Sequence, residues 1–133
     1  MKVLVADGVS KKGIDILAED FEVVVKDKLP AEELLAIIPE FDAIIVRSAS
    51  KVTAEVIAAA KNLKIIGRAG VGVDNIDVAA ATARGIIVIN SHGGNTIAAT
   101  EHTMAMMLAM SRNIPIANET MQQGAWHRKK YVG

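Results

Sequence analysis

The sequence predicts an α/β fold: a five-stranded parallel sheet, doubly wound by helices, with strand order 2-1-3-4-5. Three observations carry this. Strand-like and helix-like segments alternate strictly up to Asn90, the strand-like runs are apolar at successive rather than alternate positions, and no long insertion separates them. Strands buried on both faces and joined by helical crossovers belong to a parallel sheet covered on each side. With right-handed crossovers the simplest order is 2-1-3-4-5, a Rossmann-type order being the alternative.

The β-branched apolar runs at 3–6, 23–25, 43–46, 64–66 and 86–89 each have the length of a buried strand. Residues 10–18, 30–38, 53–60 and 76–83 lie between them with apolar positions at helical spacing, as in Ile14/Leu17, Leu34/Ile37/Ile38 and Val56/Ile57/Ala60. Ser10 and Thr53 suit helix N-caps, Pro30 suits a first helical turn, and Gly85 after Arg84 suits a helix stop. These elements make the arrangement flavodoxin-like. After Asn95 a helical stretch runs to Arg112, and Met104 to Met110 is apolar at seven successive positions, so this helix needs partners all round. Pro115, which lacks an amide donor and clashes with the preceding turn, is expected to interrupt it before a second piece reaches Gln123. From Gly124 the chain is basic and aromatic, with no further strand. The predicted organisation is therefore a sheet domain over 1–95, a helical segment over 96–123 and a basic tail over 124–133.

Composition narrows the partners. Fifteen basic and fifteen acidic residues cancel among 133, so no broad field draws the chain to nucleic acid or an anionic membrane, and any anion site must be local. The absence of cysteine removes disulfides and thiolate metal sites. Asp7 closes the first apolar run too early for a signal peptide or a membrane span, which gives a cytoplasmic reading.

In an open parallel sheet, ligands bind beyond the carboxyl ends of the strands. The segments there are Asp7-Gly8, Arg47-Ser48-Ala49, Arg68-Ala69-Gly70-Val71-Gly72 and Asn90-Ser91-His92-Gly93-Gly94-Asn95. Two arginines and several glycines converge, which suits a small anionic metabolite: glycines let amides come close, and a guanidinium can chelate a carboxylate or phosphate. An ordinary strand-end ion pair is an equal reading of Arg47 and Arg68, and backbone geometry is the better reading of Gly67. Gly70-Val71-Gly72 is not a dinucleotide fingerprint, because Asn75 fills the third glycine position and the strand is the fourth. His92, His102 and His127 lack metal-ligand spacing, and His102 reads as a packing or interface residue, Glu101 as a helix-surface ion-pair residue and the methionines as core or interface.

Val46-Arg47-Ser48, the run Gly67-Arg68-Ala69-Gly70-Val71-Gly72-Val73-Asp74-Asn75-Ile76-Asp77, and Asn90-Ser91-x-Gly93-Gly94-Asn95-Thr96 resemble the D-3-phosphoglycerate dehydrogenases of the D-2-hydroxyacid dehydrogenase class. Glu101-His102-Thr103 and Trp126-x-Arg128-Lys129-Lys130-Tyr131-x-Gly133 extend the resemblance over essentially the whole chain. It implies a substrate domain that faces a Rossmann domain across a cleft, NAD taking hydride from C2 of 3-phosphoglycerate at the start of serine biosynthesis. It also implies substrate contacts from Arg47 and Ser48, amides around Gly70, Val71 and Gly72 on the carboxylate, Arg128 and Lys129 reaching the phosphate from a neighbouring subunit, and a hinge at Asn95-Thr96. His92 stands where the family usually has proline, which frees the hinge loop, and Thr100 stands where it has alanine.

The family's nucleotide loop and its catalytic arginine, glutamate and histidine would follow Gly133, so this chain alone is expected to bind no cofactor and not to catalyse. The expected partners are a weakly held anionic substrate and a second copy, in a homodimer through the 96–123 helices. That segment could also complete the sheet as its fifth helix, within one chain or swapped between two. The competing readings are a purely structural fragment without a ligand and, ranked lower, a subunit that needs a separately supplied nucleotide domain.

Overall fold

Five short runs of β-branched residues become strands: β1 (Lys2–Val5), β2 (Glu22–Val25), β3 (Ala43–Val46), β4 (Ile65–Arg68) and β5 (Ile87–Asn90). All neighbours are parallel, and the order is β2-β1-β3-β4-β5, as the alternation predicted. The Rossmann-type alternative is thereby excluded. The computed structural model describes residues 1–132, which divide into one unit spanning Met1–Gly94 and a second that begins at Asn95.

In the first unit the crossovers are α1 (Lys11–Ala18), α2 (Ala31–Ile37) with a 3-10 turn at Ile38–Glu40, α3 (Ala54–Ala59) and α4 (Val78–Ala83). Their ends follow local chemistry. Ser10, Thr53 and Asp77 each accept the backbone amide three residues on, from Gly13, Val56 and Ala80. Pro30 takes the N-cap position of α2 rather than its first turn. Gly85, at φ +68, ends α4: its amide donates to Thr82 and the Ile86 amide to Ala81, the paired bonds of a Schellman turn.

Register aligns Leu4, Ile44, Ile66 and Val88 across β1, β3, β4 and β5. The first three are fully buried, and with Leu34, Ile57 and Val56 from the helices they form the core. Fully burying one such side chain is worth about 1.5–3 kcal/mol. The opposite sheet face is treated differently. Val3, Ile45, Ile65 and Ile89 alternate onto it beside Gly13 and Leu17 of α1, and they line an open apolar groove of about 480 Å³. Winding is therefore unequal: in this unit α1 alone packs on that face.

The second unit contains α5 (Thr96–Ser111) and α6 (Ile114–Gln122). The break between them differs from the predicted one. Asn113, left-handed at φ 53, ends the first helix, and Pro115 sits inside the first turn of the second, where its missing amide leaves no bond unmade. The side chains expected to be packed are exposed: Met104, Met106, Met107, Leu108 and Met110 are each 49–71% accessible, and His102 is exposed as well.

Candidate functional site

The loops that leave β1, β3, β4 and β5 share the carboxyl edge of the sheet, so parallel pairing brings Asp7-Gly8, Arg47-Ser48, Gly70-Val71-Gly72 and Asn90-Ser91 to one side. Arg47 follows β3 and is exposed; its Nη1 donates to the Gly8 carbonyl at 3.1 Å. Among the described residues it makes no ion pair, so the strand-end ion pair is not its role here. Ser48 is exposed beside it, and its hydroxyl has no protein partner among the described residues.

Arg68 closes β4 with only 14% of its side chain exposed, and its buried Nε has no hydrogen-bond partner among the described residues. The nearest carboxylate, exposed Asp74, stands 3.9 Å from Nη2, at the outer limit of an ion pair. The guanidinium lies against the Cα of Gly70, so a Cβ there would have to displace the end of the Arg68 side chain. Gly67 faces ordinary van der Waals contacts with Ile45 and Ile89. The Asn90 amide donates to the Val71 carbonyl at 2.6 Å, and the Ser91 amide donates to the Arg68 and Gly70 carbonyls. These bonds fix the loop, while the Val71 and Gly72 amides have no protein acceptor among the described residues. The Arg68 guanidinium lies beside Gly70 and Gly72, and amides without acceptors next to a guanidinium are chemistry suited to an anion.

Three residues that hold this edge were not selected from the sequence as site residues. Asp7 is buried and accepts from the Arg47 amide at 2.6 Å, the Ser50 amide at 3.1 Å and the Ser50 hydroxyl at 2.7 Å. Burial alone would raise its carboxyl, but the Ser50 hydroxyl and the amides of Arg47, Ser50 and Ala49 outweigh it and hold the pKa below the ordinary aspartate value. Asn75 donates from its amide to the carbonyls of Arg47 and Ser50, at 2.7 and 2.6 Å. Asn90 is the third. For Asp7 the available signal was position: an acid just beyond a buried parallel strand, facing loop backbone that needs partners.

The glycine run does not fit a dinucleotide. After Gly72 the chain continues through Asp74 and Asn75, and α4 starts only at Val78 with its first-turn amide already capped by Asp77. A pyrophosphate site needs the glycines and the open helix N-terminus together. Among the described residues no group of three or more His, Asp or Glu side chains could hold a metal ion.

The remaining predicted residues lie in the second unit. Asn95 immediately precedes α5 without a side-chain cap, and Thr96 is its first residue. Thr100 donates its hydroxyl to the Thr96 carbonyl at 2.8 Å, so the departure from alanine adds a satisfied hydroxyl. Arg128 and Lys129 are exposed in the turn after Trp126, and Arg128 lines a groove of about 240 Å³ with Ala117, Met121, Trp126 and Tyr131. The tip of the predicted tail, Gly133, lies outside the described residues.

Comparison with known proteins places the chain in a family. The D-3-phosphoglycerate dehydrogenase of Archaeoglobus fulgidus is 57% identical over all of this chain, which spans 25% of that protein. The chain thus covers about a quarter of the length of the curated relatives it matches. Among solved structures, the TT0316 protein of Thermus thermophilus superposes with a TM-score of 0.87 at 35% identity, over 100% of this chain and 45% of that one. The NAD+-bound 3-phosphoglycerate dehydrogenase of Entamoeba histolytica superposes with a TM-score of 0.72 at 33% identity, over 84% and 39%. The family model for the D-isomer specific 2-hydroxyacid dehydrogenase catalytic domain matches residues 3–127, and the chain belongs to that family.

Proposed function

We propose that this chain is the substrate-binding part of a D-3-phosphoglycerate dehydrogenase and holds 3-phosphoglycerate weakly at the carboxyl edge of its sheet. The observation that carries this reading is the convergence of Arg47, Ser48 and the acceptor-free amides of Val71 and Gly72, with Gly70 making room for Arg68. The substrate combines a carboxylate and a phosphate, and such an anion is recognised by guanidinium forks and close amide donors. We take the substrate from the 57% identity to a D-3-phosphoglycerate dehydrogenase, which supports this reading. Arg128 and Lys129 are assigned to the phosphate of a substrate bound by a neighbouring copy, and Asn95-Thr96 to the hinge.

Binding, not hydride transfer, is the activity proposed for the chain by itself. NAD, which the Entamoeba relative holds, would supply a hydride acceptor, but the 70–77 loop offers no pyrophosphate cradle, and no step through the cofactor is assigned to these residues. We infer further that two copies associate through the 96–123 segment, whose apolar residues are exposed on both helices. A cytoplasmic setting suits a cysteine-free chain that would act on a phosphorylated metabolite.

Titration of 3-phosphoglycerate into 15N-labelled protein tests the binding reading. Millimolar affinity is expected, about 4 kcal/mol, with peaks moving at Arg47, Ser48 and Gly70 to Gly72. Because charge-assisted hydrogen bonds are worth about 1.5–3 kcal/mol, Arg47→Ala should weaken binding about 10- to 100-fold. Dispersed peaks that stay still would leave the ligand-free structural reading in its place.

A further inference from the structure

We infer that Asp7 and Asn75 are positioning residues for this site, a two-sided clamp that fixes the backbone of the β3–α3 loop so that Arg47 and Ser48 are presented in one orientation. The inference rests on the binding reading above. Neither residue is required to touch the ligand.

Loop backbone normally satisfies its amides and carbonyls with water. Here both polar groups of Arg47 are taken by side chains from two other loops. Asp7, beyond β1, accepts the Arg47 amide at 2.6 Å, and Asn75, beyond β4, donates to the Arg47 carbonyl at 2.7 Å. Ser50 is held in the same way: its amide and hydroxyl donate to Asp7 at 3.1 and 2.7 Å, and its carbonyl accepts from Asn75 at 2.6 Å. The chemistry is complementary, since a carboxylate can only accept and so meets donors, while the amide nitrogen only donates and so meets carbonyls.

Main-chain bonds close the same link. The Val52 amide donates to the Asn75 carbonyl and the Asp77 amide to the Val52 carbonyl, both at 2.9 Å, in an isolated parallel bridge between Val52 and Ile76. With the peptide groups of Arg47 pinned, its Cα–Cβ direction is set before any ligand arrives. Binding then need not order the loop backbone, which removes part of the ordering cost of association. Burial of Asp7 at 3% exposure also keeps its negative charge wrapped in donors at an edge meant for anions.

The test compares the unsubstituted chain with Asn75→Ala and Ser50→Ala by 3-phosphoglycerate titration and amide exchange on 15N-labelled protein. With Asn75→Ala, affinity should fall about tenfold and exchange at 47–50 should quicken, while amides of Leu4, Ile44 and Ile66 keep their protection. Ser50→Ala, which removes only the hydroxyl tie, should show a smaller loss of the same kind and serves if Asn75→Ala does not fold. Unchanged affinity in a folded variant overturns the clamp while the binding reading survives. No binding by the unsubstituted chain overturns both.

Discussion

Asp7 shows how one side chain can be both a structural and a titratable element. Its carboxylate is buried beyond β1 and accepts three bonds from Arg47 and Ser50, forty or more residues away. Its pKa is lowered, so the stability it contributes is fully present above the unfolded value near 4 and is lost as pH falls through the lower folded value. Asp7→Asn should therefore destabilise the protein at neutral pH by about 1–3 kcal/mol. In urea unfolding from pH 7 to pH 2 the gap between parent and variant should close only in the most acidic part of the range. A gap independent of pH would mean that the charged form makes no special contribution. Arg47, Ser48 and the glycines were legible in the sequence because guanidinium, hydroxyl and glycine are ligand-facing residue types in loops beyond strands. Asp7, Asn75 and Asn90 were not, since bracing is defined by which distant backbone groups a side chain meets. Asn75 stands out in the sequence as the occupant of a glycine position and as part of the family-like run, neither of which reveals the carbonyls it meets.

The elements were legible to within a residue or two wherever local chemistry decides them. Ser10 and Thr53 cap as predicted, and Gly85 takes the left-handed turn that its place after Arg84 suggested. Pro115 misled because proline breaks helices only in the interior; in a first turn it is compatible, and Asn113 makes the break instead. Gly85 gives a test in which packing plays no part. Its φ is +68 and, among the described residues, no atom beyond its chain neighbours lies within 4 Å of where a Cβ would stand, so Gly85→Ala isolates backbone strain. The left-handed conformation costs an L-residue about 1–2 kcal/mol, and the stiffer unfolded chain returns about 0.4–1. A net loss of about 1 kcal/mol is expected in urea unfolding with an unchanged slope, and Gly85→Asn should lose less. Equal stability of the alanine variant would show that the turn readily relaxes.

At the scale of the whole molecule, apolar surface is in excess. One sheet face opens into the groove beside α1, and α5 carries methionines and Leu108 at every angle rather than in one stripe. Sequence showed this helix to be apolar all round but could not show what covers it, because a residue pattern reports the need for burial and not the partner. No helix among the described residues is long and apolar enough to cross a membrane. Exposed Ile97, Met104, Met107, Leu108, Met110, Ile114, Ile116 and Met121 form a surface of the kind that marks association between proteins. Homodimers through this segment should give, by size-exclusion with light scattering at micromolar concentration, twice the 14.1 kDa mass of one chain, falling toward one chain on dilution. Met107 and Leu108 are each 60% exposed, so Met107→Glu with Leu108→Glu places charge where folding does not require burial but a dimer would desolvate it. The double variant should be monomeric with an unchanged circular dichroism spectrum. A parent that is monomeric at every concentration, or a variant that still dimerises, would remove the 96–123 segment as the interface.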